Sequence, residues 1–335
     1  MNNQTSSLEL SHFPVMLNEV IRLSAASDGG KFIDCTFGAG GYSKEILKFA
    51  KTQVLALDRD KNSKVRAEKL EKNFPDRFKF YRIKFSDLNT ISNDNFDAVI
   101  FDLGLSSIQL DDLNRGFSFK SNEKLDMTMG LNKVSALDVV NNLSEINLKS
   151  IIKFLGGEKE AAKIAKNIVK HRNIKKITNT NDLVKIISNC KKKNISKINP
   201  CTKTFQALRI FVNKEITELL NGIIIATKKL KPGGKILVIS FHSLEDKIVK
   251  YFFANYSKNK SRPSRYFPEN KIDELNLFDQ YKNLVIRPSK EEVELNSRSR
   301  SAKLRFAIRS KKKFEYPVDL KKKFKKYLEL EAINV

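Results

Sequence analysis

From Lys31 onward, short apolar runs alternate with amphipathic ones. KFIDCTF reads as a buried strand, GAGGYS as a glycine turn and KEILKFAK as a helix. TQVLALD repeats the strand signal and ends at Asp58; a helical stretch from Lys61 to Asn73 and the run FKFYRIKF follow. FDAVIFDL then ends a further strand on an acid, Asp102. Strands that alternate with helices at this spacing predict a parallel α/β sheet. The pattern resumes far downstream, where GIIIATKKL reads as a helix end, KPGG as a turn and KILVISF (Lys235 to Phe241) as another buried strand. NLVIRP and KLRFAIR predict an antiparallel pair closing the far edge of the sheet.

Between the two halves the period changes. In EAAKIAKNIVKHR, residues Ala161, Ile164, Ala165, Ile168 and Val169 share one helical face; in TKTFQALRIFVNKEITELL, Phe205, Leu208, Phe211, Val212, Ile216 and Leu219 do the same. The reading is a discontinuous α/β core over 1–110 and 214–310, an all-helical insert over 111–213, and a lysine-rich tail over 311–335, mobile or weakly helical.

Charge sharpens this division. The 335 residues carry 63 Lys+Arg against 38 Asp+Glu, a net charge of +25. From Lys159 to Lys203 there are 13 Lys/Arg against only Glu160 and Asp182. A cationic excess concentrated on one module predicts a surface facing a nucleic-acid backbone, here RNA. Three cysteines without a CxxC pair and only three histidines argue against a disulfide framework and against a metal site. The start MNNQTSSLELSHFPV lacks the cationic and apolar blocks of a signal peptide, and no apolar run approaches the roughly 20 residues that span a bilayer, so a cytoplasmic protein is expected.

The candidate chemistry gathers where strands end. GAGGYS between a strand and a helix lets a ligand approach the backbone, although Ser43 stands where a dinucleotide fingerprint has its third glycine. Asp58, closing the next strand, suits the two hydroxyls of a ribose, whether in a nicotinamide dinucleotide or in S-adenosylmethionine. Asp102 adds an acid at the same sheet edge, and the late strand pair favours the methyl donor. A nicotinamide enzyme accounts for the loop and Asp58 only. A non-enzymatic ribosome-binding factor accounts for charge and helices but not for the loop and acids.

HFPVMLNEV, IDCTFGAGGYSKEIL, LALDRD, FDLGLSSIQLDDLNRGFSFK, LDMTM, TKTFQALRIFVNKE, LKPGGKILVISFHSLEDKIVK and SRSRSAKLR, in order over roughly residues 11 to 310, resemble the RsmH (MraW) family. That resemblance implies a Rossmann-like class I S-adenosylmethionine-dependent methyltransferase core with an inserted all-helical domain. It implies methylation of the exocyclic amine, N4, of a decoding-centre cytidine in 16S rRNA of the small ribosomal subunit. It places Gly40, Gly41, Tyr42, Asp58, Phe85, Asp102 and Gln109 at the cofactor. Three positions depart from the family pattern: Tyr42 where histidine is common, Ile108 where proline is frequent, and Thr128 where LDMRM has arginine.

An amine whose lone pair is delocalised into a ring needs alignment and acceptors for its protons more than a strong base. Asp102 is the candidate acceptor, with Gly104 leaving room for a flat base and Ser106 or Ser107 at its edge. The competing reading has these serines capping the next turn. His242, after the last parallel strand, is a candidate for the target nucleotide or a structural histidine, with Ser243 expected as the following helix cap. Arg115 and Phe117 offer a cation and a ring for a splayed-out base; core packing of Phe117 is the alternative.

Overall fold

The computed structural model describes residues 13–92, 94–119, 121–191, 199–258, 275–279 and 281–335. The Arg/Pro/Asn-rich stretch after Tyr256 falls largely outside them. The chain divides into two compact units, one of Met1–Gly104 with Leu219–Leu320, the other of Leu105–Glu218 with Lys321–Val335.

The first unit is built on β1 (Gly30–Asp34), β2 (Thr52–Leu57), β3 (Phe78–Tyr81), β4 (Phe96–Asp102), β5 (Leu230–Ser240) and β6 (Lys303–Ile308), in the order β3-β2-β1-β4-β5-β6. Pairing is parallel throughout except between β5 and β6. Runs such as AVIF in β4 and LVIS in β5 are buried on both faces, as parallel strands covered by helices require. The order reverses direction between β1 and β4, the switch point outside which open α/β sheets bind ligands.

Three details differ from the sequence reading. KPGG is not a turn before β5 but lies inside it. The pairing jumps from Phe96↔Leu230 to Ala98↔Lys235, and Gly233, at φ +80, absorbs the extra residues. NLVIRP contributes only an isolated bridge, Ile286↔Leu304, because the chain then turns into the helix Lys290–Leu295. The unit boundaries fall at 104/105 and 218/219 rather than at 110/111 and 213/214. The helix Glu215–Lys229 runs across the second boundary without interruption.

In the second unit the described residues form helices joined by short turns, with one bridge, Lys124↔Asn179, and no strand. Each predicted helical face is the buried one: Ile164, Ala165 and Ile168 in Ala161–Ile174, and Phe205, Leu208 and Phe211 in Thr202–Asn213. Asn213, fully buried, fastens the segment after the first short helix. Its Oδ1 accepts from the Met129 N–H at 2.8 Å and its Nδ2 donates to the Met127 carbonyl at 2.8 Å.

The tail, read as mobile or weakly helical, forms the helices Val318–Lys323 and Lys325–Glu331. Leu320 is buried in the first unit, and Phe324, Leu330 and Glu331 in the second. Lysines dominate its composition, but its few apolar residues recur at a helical spacing, and that spacing decides the outcome.

Candidate active site

At the carboxyl edge of the sheet, three strands deliver acids. Asp34, the last residue of β1, is fully buried. Its Oδ1 accepts from the Thr36 N–H at 3.2 Å and its Oδ2 from the Ser43 hydroxyl at 2.7 Å. Burial pushes its carboxyl up to about 6 despite these donors. Ser43 therefore anchors the helix Gly41–Leu47 to the strand end, which explains a serine where a dinucleotide fold has glycine.

Asp58, one residue past β2, holds the glycine loop from the other side. Its Oδ2 accepts from the Gly38 N–H and the Ser63 hydroxyl, both at 2.7 Å, and its Oδ1 accepts from the Asp60 N–H at 2.8 Å. Burial raises its pKa as well. A carboxylate oxygen has two lone pairs, so Oδ1 retains capacity for a hydroxyl donor.

Within the loop, Gly40 sits at φ +80, and a Cβ there would lie 2.7 Å from the Phe37 ring. At Gly41 a Cβ would lie 2.0 Å from the Pro14 ring. The glycines therefore serve close packing of the loop as much as any ligand. Phe85 is half-buried, edge-on to Phe101 at 5.4 Å between centroids. Any side chain at Gly222 would strike the Phe85 ring, with a Cβ 2.4 Å away.

Asp102 ends β4. Its N–H donates to the Thr36 hydroxyl at 2.7 Å, tying β4 to the turn after β1. Its Oδ2 lies 3.3 Å from the Tyr42 hydroxyl, while that hydroxyl donates to the Val15 carbonyl at 2.5 Å. The phenol's one proton serves both acceptors, the Val15 carbonyl being the nearer, and its donation to Oδ2 partly offsets the rise in the Asp102 pKa. Its other carboxyl oxygen, Oδ1, is buried without a hydrogen-bond partner among the described residues. Burial first, then the charge of Asp34, pushes Asp102 up to about 8, with Glu245 and Glu292 adding repulsion. Burial thus favours the neutral form of Asp102. Burial also raises the Tyr42 pKa well above that of a free phenol, with Asp102 the next cause.

Gly104, at φ +94, turns the chain away from β4; a Cβ there would make only ordinary contact with Phe241 at 3.6 Å. Backbone conformation by itself favours glycine here.

His242 rather than Ser243 caps the helix Ser243–Asn255. Its Nδ1 accepts from the Glu245 N–H at 3.3 Å, while Glu245 Oε2 accepts from the His242 and Phe241 N–H groups. The imidazole Nε2 lies 3.1 Å from Glu245 Oε1 but is buried without a hydrogen bond among the described residues. Extended backbone at His242 favours it over Ser243, which has already entered the helix.

In the second unit, Ser106 caps the helix Ser107–Asp111. Its hydroxyl accepts from the Gln109 N–H at 3.3 Å, and Gln109 Oε1 accepts from the Ser106 N–H at 3.1 Å. Both residues therefore carry structural hydrogen bonds. Phe117 is buried at 6% exposure beneath the Arg115 guanidinium, 5.4 Å from its centroid, so it is a packing residue and not an open stacking platform. Arg115 also donates to the Thr128 carbonyl at 2.8 Å.

The sequence reading had not singled out Asp34, Thr36 or Ser63. Asp34 had a legible signal, an acid closing a strand just before GAGG. Thr36 and Ser63 had none, because their partners are set by strand pairing.

A sheet of this order, antiparallel only at its last strand and lined with acids at the switch point, is a Rossmann-like class I methyltransferase core. The chain belongs to the MraW methylase family, whose model matches residues 9–310. It is 43% identical over 309 residues to Ribosomal RNA small subunit methyltransferase H of Ehrlichia canis (strain Jake), covering 89% of this chain and 99% of that protein. The protein of that name from Rickettsia canadensis (strain McKiel) is 43% identical over 302 residues, covering 90% and 98%. That from Bartonella tribocorum is 44% identical over 300 residues, covering 89% and 90%. Among the described residues no helix is long and apolar enough to cross a membrane.

Proposed function

We propose that this protein methylates the exocyclic N4 amine of a decoding-centre cytidine in 16S rRNA, within the small ribosomal subunit, using S-adenosyl-L-methionine. Family membership over residues 9–310 carries the reading. Small-subunit rRNA as substrate follows the name its relatives share. The acids at the sheet edge fit the cofactor: Asp58 Oδ1 has room for a ribose hydroxyl, and Phe85 offers a half-buried ring for a flat base. Gly40, Gly41, Tyr42 and Gln109 complete the cofactor assignment. When bound, the sulfonium supplies an electrophilic methyl group.

The protein's own contribution is positioning and a place for protons. Asp102 Oδ1 is buried without a partner, which is unfavourable unless a donor arrives to meet it. An amine N–H is such a donor, and accepting it draws the nitrogen towards a tetrahedral geometry. Accepting requires the carboxylate form, so Asp102, at about 8, makes methyl transfer increase with pH across the neutral range. Tyr42 steadies the carboxyl through Oδ2, leaving Oδ1 for the substrate. Ser106 shapes the turn after Gly104, and His242 holds the chain leaving β5 at the same edge. The helical unit, with its lysine excess, takes the RNA backbone.

Labelled methyl transfer to unmethylated small subunits, followed by nucleoside identification, tests this. N4-methylcytidine at one position is expected; label on a ring carbon or on protein would overturn it.

A further inference from the structure

The family model ends at residue 310, and beyond it the segment Lys321–Val335 belongs to the helical unit. The helix Lys325–Glu331 packs on the helices Glu145–Phe154 and Thr202–Asn213. Phe324 and Glu331 are each 1% exposed. Glu331 is the latch: one carboxyl oxygen accepts from the Ile216 N–H at 2.9 Å, the other from the Thr217 N–H at 2.8 Å and its hydroxyl at 2.6 Å. These are N–H groups of the first turn of the helix Glu215–Lys229, which have no acceptor within that helix. A residue far along the chain thus satisfies that helix start, and the docking is specific.

Docking brings cations together. Lys326 lies 3.1 Å from the Phe154 centroid and Lys153 5.4 Å from it, so two ammonium groups from separate helices converge on one ring. Lys149, Lys322, Lys323 and Lys325 are exposed in the same two segments. Over 321–335 five lysines stand against two acids; Glu331 is consumed in the latch, and Glu329 sits 3.5 Å from Lys325 in an exposed, weak pair. Bringing like charges together costs energy in the free protein, and a polyanion crossing the surface relieves that cost and releases its own counterions.

We propose that the docked segment 321–335, with Lys149 and Lys153, forms a phosphate-backbone contact surface that extends the RNA-facing helical unit beyond the family's own boundary. This rests on the rRNA reading above. The surface contributes affinity without reading sequence, since flexible ammonium groups meet phosphates as point charges.

The test uses the full chain carrying Lys149→Ala, Lys153→Ala, Lys325→Ala and Lys326→Ala together, all at exposed positions. A control removes equal charge from the first unit: Lys61→Ala, Lys64→Ala, Lys69→Ala and Lys72→Ala. Binding to a labelled 16S rRNA transcript is followed across roughly 0.05 to 0.2 M salt. The expected result is at least a tenfold loss of affinity at the low-salt end, with a salt slope shallower by about 0.7–0.9 per lost phosphate contact. The control should stay near wild type, and S-adenosylmethionine affinity by calorimetry should be unchanged in both. Wild-type RNA affinity and slope in the first variant would overturn the proposal and leave the rRNA reading standing. Equal losses in both variants would overturn it in favour of bulk charge. A wild-type protein that bound no RNA would remove the underlying reading as well.

Discussion

The two units handle charge in opposite ways. The first buries acids where its strands end: Asp34, Asp58 and Asp102 are all raised in pKa by burial, and each is tied to a particular backbone or hydroxyl partner. The second keeps its apolar faces inside and spreads lysines over the outside, and the buried carboxylate of Glu331 holds a helix start there. A buried charge matters singly, because desolvation makes each partner costly to lose. A solvated charge matters only in number. Substituting a buried acid should therefore be severe, and substituting a single exposed lysine of the second unit nearly silent.

Asp102→Asn gives the largest expected effect, a fall of about 10²–10³ in methyl transfer, measured with labelled donor at saturation. Full activity in this variant would remove Asp102 as acceptor. The same substitution has the opposite effect on stability. A carboxyl raised from 3.8 to about 8 in the folded protein costs stability progressively as pH rises between those values. The Asn variant should therefore gain on wild type in thermal melts as pH increases to 8, by about 2–4 °C per kcal/mol.

Gly40→Ala tests the loop. A left-handed alanine costs about 1–2 kcal/mol before the Phe37 ring moves. Calorimetry should show donor affinity reduced about tenfold or more.

Glu331→Gln carries the comparison to a buried acid of the second unit. Its carboxyl is raised from 4.5 to about 7, chiefly by burial, so the wild-type protein loses stability as pH rises through that window. Hydrogen exchange in Lys325–Glu331 should show this pH dependence in wild type and lose it in the Gln variant. Smallest is Lys166→Ala, an exposed lysine whose loss should alter stability by less than about 0.5 kcal/mol.

The sheet strands, the helical faces of the middle region and the acids at 58 and 102 were legible because burial imposes a period and strand ends place acids at one edge. The packing of the tail was not legible because lysines dominate its composition, whereas Phe324 and Leu330 decide how it docks. His242 as a cap was invisible because serine is the commoner cap and the backbone angle selecting histidine is not written in residue type. The roles of Ser106 and Gln109 in a shared capping box were half-visible, since Ser-x-x-Gln is its signature.

The amino-acid order by itself determined the class of fold, the family and which residues close the strands, since these depend on local period and motif. Tertiary structure alone decided that Asp102 keeps one oxygen unpartnered among the described residues, that the Tyr42 hydroxyl lies beside the other, and that Glu331 caps a helix 115 positions earlier in the chain. Those facts depend on distance and desolvation between residues far apart in sequence, and neither quantity exists until the chain has folded.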